Sequence, residues 1–102
     1  MRTFTITIPA NCKPSNLGFA AALVEKAGEY TSDEINIKIG KFNYVNCKSM
    51  LGLLTLRFDS NTDITVQVLG ETEDYTAKSL ERFINKLLTL YTDDINSYTD
   101  EK

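Results

Sequence analysis

Three stretches of this chain place an apolar side chain at every second residue, and that period limits the fold more than any other feature. In Arg2 to Ile8, Phe4, Ile6 and Ile8 alternate with Thr3, Thr5 and Thr7. Ile35, Ile37 and Ile39 alternate with Asn36 and Lys38; Ile64, Val66 and Val68 alternate with Thr65 and Gln67. Successive side chains of a strand point to opposite faces, so each stretch predicts a strand with one buried face and one wetter face. Gly40-Lys41 suits a tight hairpin turn, with glycine supplying positive φ at the first central position, and predicts Phe42 to Val45 as a return strand. Such strands build an antiparallel or mixed sheet covered on one side.

Two stretches carry the helical period. From Leu17 to Tyr30 the apolar positions are Leu17, Ala20, Ala21, Val24 and Ala27, with Ser15 or Asn16 as the natural N-cap. The last helix is expected to start near Thr72 to Asp74. It carries an apolar stripe of Ala77, Leu80, Ile84, Leu87, Leu88 and Tyr91 opposite Lys78, Glu81, Arg82 and Lys86. Between them lies Tyr44 to Leu56, YVNCKSMLGLLTL, a polar elbow followed by a short helix. Met50, Leu51, Leu53, Leu54 and Leu56 make that helix apolar nearly all round, so part of it should stay exposed and meet a protein partner. Thr31 to Glu34 reads as a polar break and Arg57 to Asp63 as a loop, in which Asn61 tolerates a left-handed backbone. The resulting order, β-α-β-β-α-β-α, is an α+β fold: a four-stranded, mainly antiparallel sheet with three helices on one face.

Composition narrows the chemistry. The 102 residues include no histidine, which removes the commonest general base and the Ser-His and Cys-His nucleophile pairs. No carboxylate sits in an apolar setting that would raise its pKa, so the chain reads as a binding domain and not an enzyme. The net charge of −3 argues against direct contact with nucleic acid. Four acids and one lysine fall in the last twelve residues, leaving ten of each sign in residues 1–90. Residues 92–102 are therefore expected to be a flexible acidic tail on a domain of residues 1–91. With no signal-like segment and no run long enough for membrane insertion, a cytoplasmic chain is expected. Its two cysteines, Cys12 and Cys47, should then be thiols, and neither a metal site nor a cofactor is indicated.

VNCKSMLGLLTL resembles the second-helix signature of the HPr family, the histidine-containing phosphocarriers of the bacterial sugar phosphotransferase system. AALVEKAGEYTSDEINI is similar to the family's first helix and second strand, and DITVQVLGETEDYTAKSLERFI to its last strand and helix. The resemblance covers almost all of the chain except the acidic tail and implies the family's open-faced β-sandwich. It also implies that Asn16, Leu17, Gly18 and Phe19 occupy the family's His-Ala-Arg-Pro motif, so the phosphorylated histidine is replaced by Asn16 and the steadying arginine by Gly18. Asn16 could still serve as a helix cap.

The family's regulatory serine corresponds to Ser49, at the start of the second helix, with Lys48 beside it as a cation. A phosphate there would meet free N–H groups, although serine at a helix start is more often only a cap. Met50, Leu51 and Leu54 match the family's partner-binding patch, and the resemblance implies HPr kinase, enzyme I, permease domains or a transcriptional repressor as partners. A chain lacking the histidine has a precedent in the family's catabolite-repression branch. Two other roles remain open from the sequence: phosphate transfer through another residue such as Cys12, and a structural or redox module using Cys12 and Cys47.

Overall fold

A computed structural model describes residues 1–92. Its elements are β1 (Arg2–Thr7), α1 (Asn16–Ala27), β2 (Asp33–Ile39), β3 (Val45–Asn46), α2 (Met50–Leu53), β4 (Asp63–Gly70) and α3 (Glu73–Thr89). One sheet runs β1-β4-β2-β3 with every neighbouring pair antiparallel. The registers place Ile6, Ile64 and Ile39 on one cross-strand row and Phe4, Val66, Ile37 and Val45 on the next. These rows form the buried face, onto which α3 and α1 bring Leu80, Ile84, Leu88, Phe19 and Leu23. Each such large side chain taken from water contributes about 1.5–3 kcal/mol. The threonines of β1 face the opposite side and are exposed, as their alternation requires.

Where the expected elements moved, the cause is visible. In α1 the buried face is Phe19, Ala20, Leu23 and Ala27, while Leu17 is 63% exposed. The predicted stripe weighted small residues. Burying Phe19, whose ring lies 4.7 Å from that of Phe58, removes far more apolar area and turns the helix accordingly. The helix ends at Ala27, where Gly28 donates its N–H to Val24 O, so it stops short of Tyr30.

The hairpin turn forms, with Gly40 at φ 57° and Phe42 N–H donating to Ile39 O at 3.1 Å. The return strand, however, is only Val45–Asn46. Gly40 N–H bonds Asp63 O at 2.8 Å, which keeps the start of the turn on the β4 side and delays pairing with β2. The short helix is likewise a single turn, Met50–Leu53, followed by tighter turns to Leu56. Asn61 does take the left-handed backbone, at φ 65°.

Asp33 was expected in the polar break, yet it begins β2 and is 4% exposed. Its carboxylate accepts from Thr72 N (3.0 Å), Thr72 Oγ1 (2.6 Å) and Thr76 Oγ1 (2.5 Å). Thr72, at the N-cap position of α3, caps no helix N–H with its side chain; Asp33 instead ties the helix start to the sheet by accepting from the Thr72 N–H and hydroxyl. The last described residues are also anchored. Lys13 N–H donates to Tyr91 O at 3.0 Å, and Thr92 forms a bridge with Cys12. Thr92, placed in the tail from sequence, thus belongs to the folded unit; residues 93–102 lie outside the described residues.

Candidate functional site

The elbow after β3 delivers Ser49 to the start of α2. Asn46 builds the elbow, its side-chain oxygen accepting Lys48 N–H at 2.9 Å and its carbonyl accepting Ser49 N–H at 3.0 Å. Ser49 is the N-cap: its Oγ accepts Gly52 N–H at 3.1 Å. The capping role expected of serine is therefore present. A four-residue helix aligns few peptide dipoles, so the electrostatic support expected for a phosphate on Ser49 is smaller than a longer helix would give.

Lys48 is turned away from that position. Its Nζ donates to Tyr30 O at 2.6 Å and Asp33 O at 2.7 Å, binding the elbow to the start of β2. The apolar residues of α2 divide as its periodicity demands. Leu53 is fully buried, Met50 is half-buried, Leu54 is 45% exposed, and Leu51 is 82% exposed. Leu51 and Leu54 thus remain as outward-facing surface, with Leu17 of α1 also exposed.

Asn16 is the first residue of α1, and the cap is Ser15, whose Oγ accepts Gly18 N–H at 3.2 Å. The capping role expected of Asn16 therefore belongs to its neighbour. Its side-chain amide instead donates to Leu56 O at 3.1 Å, while its oxygen accepts Phe58 N–H at 3.0 Å. Beside it, a Cβ on Gly18 would lie 2.9 Å from the Tyr91 hydroxyl, so Tyr91 fills the space through which an arginine side chain would leave.

The cysteines are both free and buried. Cys12 is completely inaccessible, its Sγ donating to Leu88 O at 3.4 Å, which removes it as a phosphoryl acceptor. Burial pushes the Cys47 thiol up to about 12, with the charge of Lys48 opposing it. A thiol held protonated and covered is a poor nucleophile. Native protein is expected to leave Cys47 unlabelled by iodoacetamide at pH 8 and to expose it only on unfolding. Rapid stoichiometric labelling, read by mass, would contradict this.

One feature left no trace in the sequence: a groove of about 650 Å³ between the turn after β2 and the segment after α2. Ile39, Val45 and Leu56 line its interior, with Phe42 and Arg57 also contributing. It arises because β3 is so short. An alternation pattern can flag a strand but not where the strand stops pairing.

The sequence matches the family described as PTS HPr component phosphorylation site across residues 2–86. The chain belongs to the HPr family. HPr-like protein Crh of Bacillus subtilis (strain 168) is 34% identical over 67 residues, 66% of this chain and 76% of that protein. The Crh of Halalkalibacterium halodurans is 37% identical over 67 residues, 66% of this chain and 77% of its own length. Among solved structures, HPr-C-His from Thermoanaerobacter tengcongensis matches with a TM-score of 0.69 at 24% identity, covering 83% of this chain and 92% of that one. This last likeness bears on the fold alone. Within the HPr fold, then, this chain presents a serine-capped α2 with exposed leucines, and an asparagine turned inward where the resemblance sets the histidine. Among the described residues no helix is long and apolar enough to cross a membrane.

Proposed function

We propose that this HPr-family chain is a regulatory, protein-docking member that does not carry phosphate on the histidine position. The observation that carries the reading is Leu51, 82% exposed on the helix that Ser49 caps. A leucine so exposed beside a second, Leu54, is surface that a protein partner would cover. Loss of transfer is supported at Asn16, which has no basic ring nitrogen and spends its amide on two backbone groups. Ser49 is the modification site of the proposal, with HPr kinase, enzyme I, permease domains or a transcriptional repressor as the partner classes. Lys48 supports the site by holding the elbow, and Met50 packs half-buried beneath it.

Two incubations test this. Enzyme I with labelled phosphoenolpyruvate is expected to leave the chain unlabelled, whereas HPr kinase with ATP adds one phosphate that Ser49→Ala abolishes. Leu51→Asp should raise the kinase KM severalfold with the fold unchanged by circular dichroism. Label from phosphoenolpyruvate would defeat the non-carrier reading, and an unmodified Ser49 would remove the regulatory one.

A further inference from the structure

The segment from Leu56 to Phe58 belongs to no strand, and Leu56 itself lies at a bend. In extended chain, the carbonyl of one residue and the N–H of the residue two further on point to the same side, which is how a strand offers itself to its neighbour. Here Leu56 O and Phe58 N–H make that offer, and the respondent is the carboxamide of Asn16, at 3.1 and 3.0 Å. A carboxamide carries a donor nitrogen and an acceptor oxygen on one carbon, so it can turn both toward the same backbone edge. Phe58 is 1% exposed and its ring packs at a tilt against Phe19, so its N–H lies beside the core, where an unmet donor is costly.

We infer that Asn16 is a positioning residue whose carboxamide replaces a missing strand rung and fixes the backbone of Leu56 to Phe58 against the start of α1. The position that would hold a reactive group has become an internal latch. Arg57 lies between the two latched peptide groups and projects outward, its side chain 79% exposed and 3.6 Å from Asp59. The latch therefore determines where Leu54 and Arg57 stand relative to Leu17. That last consequence rests on the docking role proposed above; the latch itself does not.

The chemistry of the latch is selective. Alanine supplies neither bond. Imidazole has a donor and an acceptor, but they diverge across the ring and cannot both face one strand. An ionised carboxylate accepts from Phe58 N–H but sets a negative oxygen against the Leu56 carbonyl. Once protonated, that carboxyl regains both a donor and an acceptor. The folded-state pKa of the carboxyl in Asn16→Asp is therefore raised. Its contribution is complete at low pH and lost as pH rises through that value. The charged side chains on the clamped segment are Arg57 and Asp59, and both are present in every variant.

The experiment uses the full chain. By amide hydrogen exchange, Phe58 N–H should exchange roughly tenfold faster or more in Asn16→Ala and Asn16→His, while amides of the β2–β4 ladder keep their protection relative to global stability. The decisive arm is the thermal midpoint of Asn16→Asp against wild type between pH 7 and pH 4. The variant should melt well below wild type at pH 7 and recover most of the difference by pH 4, whereas Asn16→Ala shows no such recovery. Unchanged Phe58 exchange in Asn16→Ala, or no acid recovery in Asn16→Asp, would overturn the inference. Either result is independent of whether Ser49 is a kinase substrate, so the two proposals fail separately.

Discussion

Asp33→Ala is expected to destabilise the protein by about 3 kcal/mol, a fall in Tm of roughly 15 °C for a domain of this size. The loss is large because three donors converge on this buried carboxylate: the Thr72 amide and the hydroxyls of Thr72 and Thr76. Removing the acceptor leaves them unmet at the junction of β2 and α3. Burial pushes the Asp33 carboxyl up, but the hydrogen bonds from Thr72 and Thr76 and the nearby Lys48 charge outweigh it, and its pKa lies below the ordinary 3.8. A depressed carboxyl stabilises fully above its unfolded pKa and loses that contribution as pH falls through the folded value. Wild type should therefore lose stability below about pH 4. Asp33→Asn should flatten that part of the profile while costing less at pH 7 than alanine. Thermal melts across pH 2–7 check both points, and an acid limb that survives in Asp33→Asn would assign the effect elsewhere.

Gly70→Ala should cost about 4 kcal/mol or leave the chain unable to fold at 37 °C. Gly70 closes β4 at φ 155°, a backbone that side chains seldom adopt. A Cβ there would sit 2.2 Å from Asp33 Oδ1 and 2.6 Å from Ser32 O. The second contact is backbone, so side-chain adjustment cannot relieve it. Gly70 N–H also donates to Glu73 at 3.2 Å, tying the bend to the first turn of α3. Since both substitutions disturb Asp33, their effects should fall short of additive in the double variant. Chemical denaturation of the single and double variants measures this, and a cost below about 1 kcal/mol for Gly70→Ala would refute the steric argument.

Much of the fold was legible because burial leaves a period. The isoleucines and valines at 35, 37, 39, 64, 66 and 68 all reach the core, and the stripe at Ala77, Leu80, Ile84, Leu87 and Leu88 is the buried face of α3. The resemblance at Tyr44 to Leu56 led to the family. What escaped reading were contacts in which a side chain serves a distant backbone. Asn16 reaches 40 and 42 residues along the chain, and Lys48 reaches back 18 and 15. Such bonds have no period, and composition does not record them. Asp33 misled for the same reason: among Thr31, Ser32 and Glu34 it looks solvated, and only the approach of Thr72 and Thr76 makes burial affordable. At the site itself, Ser49 and the exposed leucines could be anticipated, whereas the inward direction of Lys48 could not.

The strand order also sets a schedule for synthesis. Among the described residues β1 pairs with β4 alone, so Thr5 must wait for Thr65, sixty residues later in the chain. At roughly 5–20 residues per second, the first strand spends several seconds outside the ribosome without its partner. Its two faces differ sharply in that interval: Ile6 and Ile8 are exposed apolar surface, while Thr3, Thr5 and Thr7 stay compatible with water. The nascent chain is therefore most vulnerable to association between emergence of Ile8 and emergence of Gly70, and a pause placed within that window should reduce soluble yield more than one placed after it.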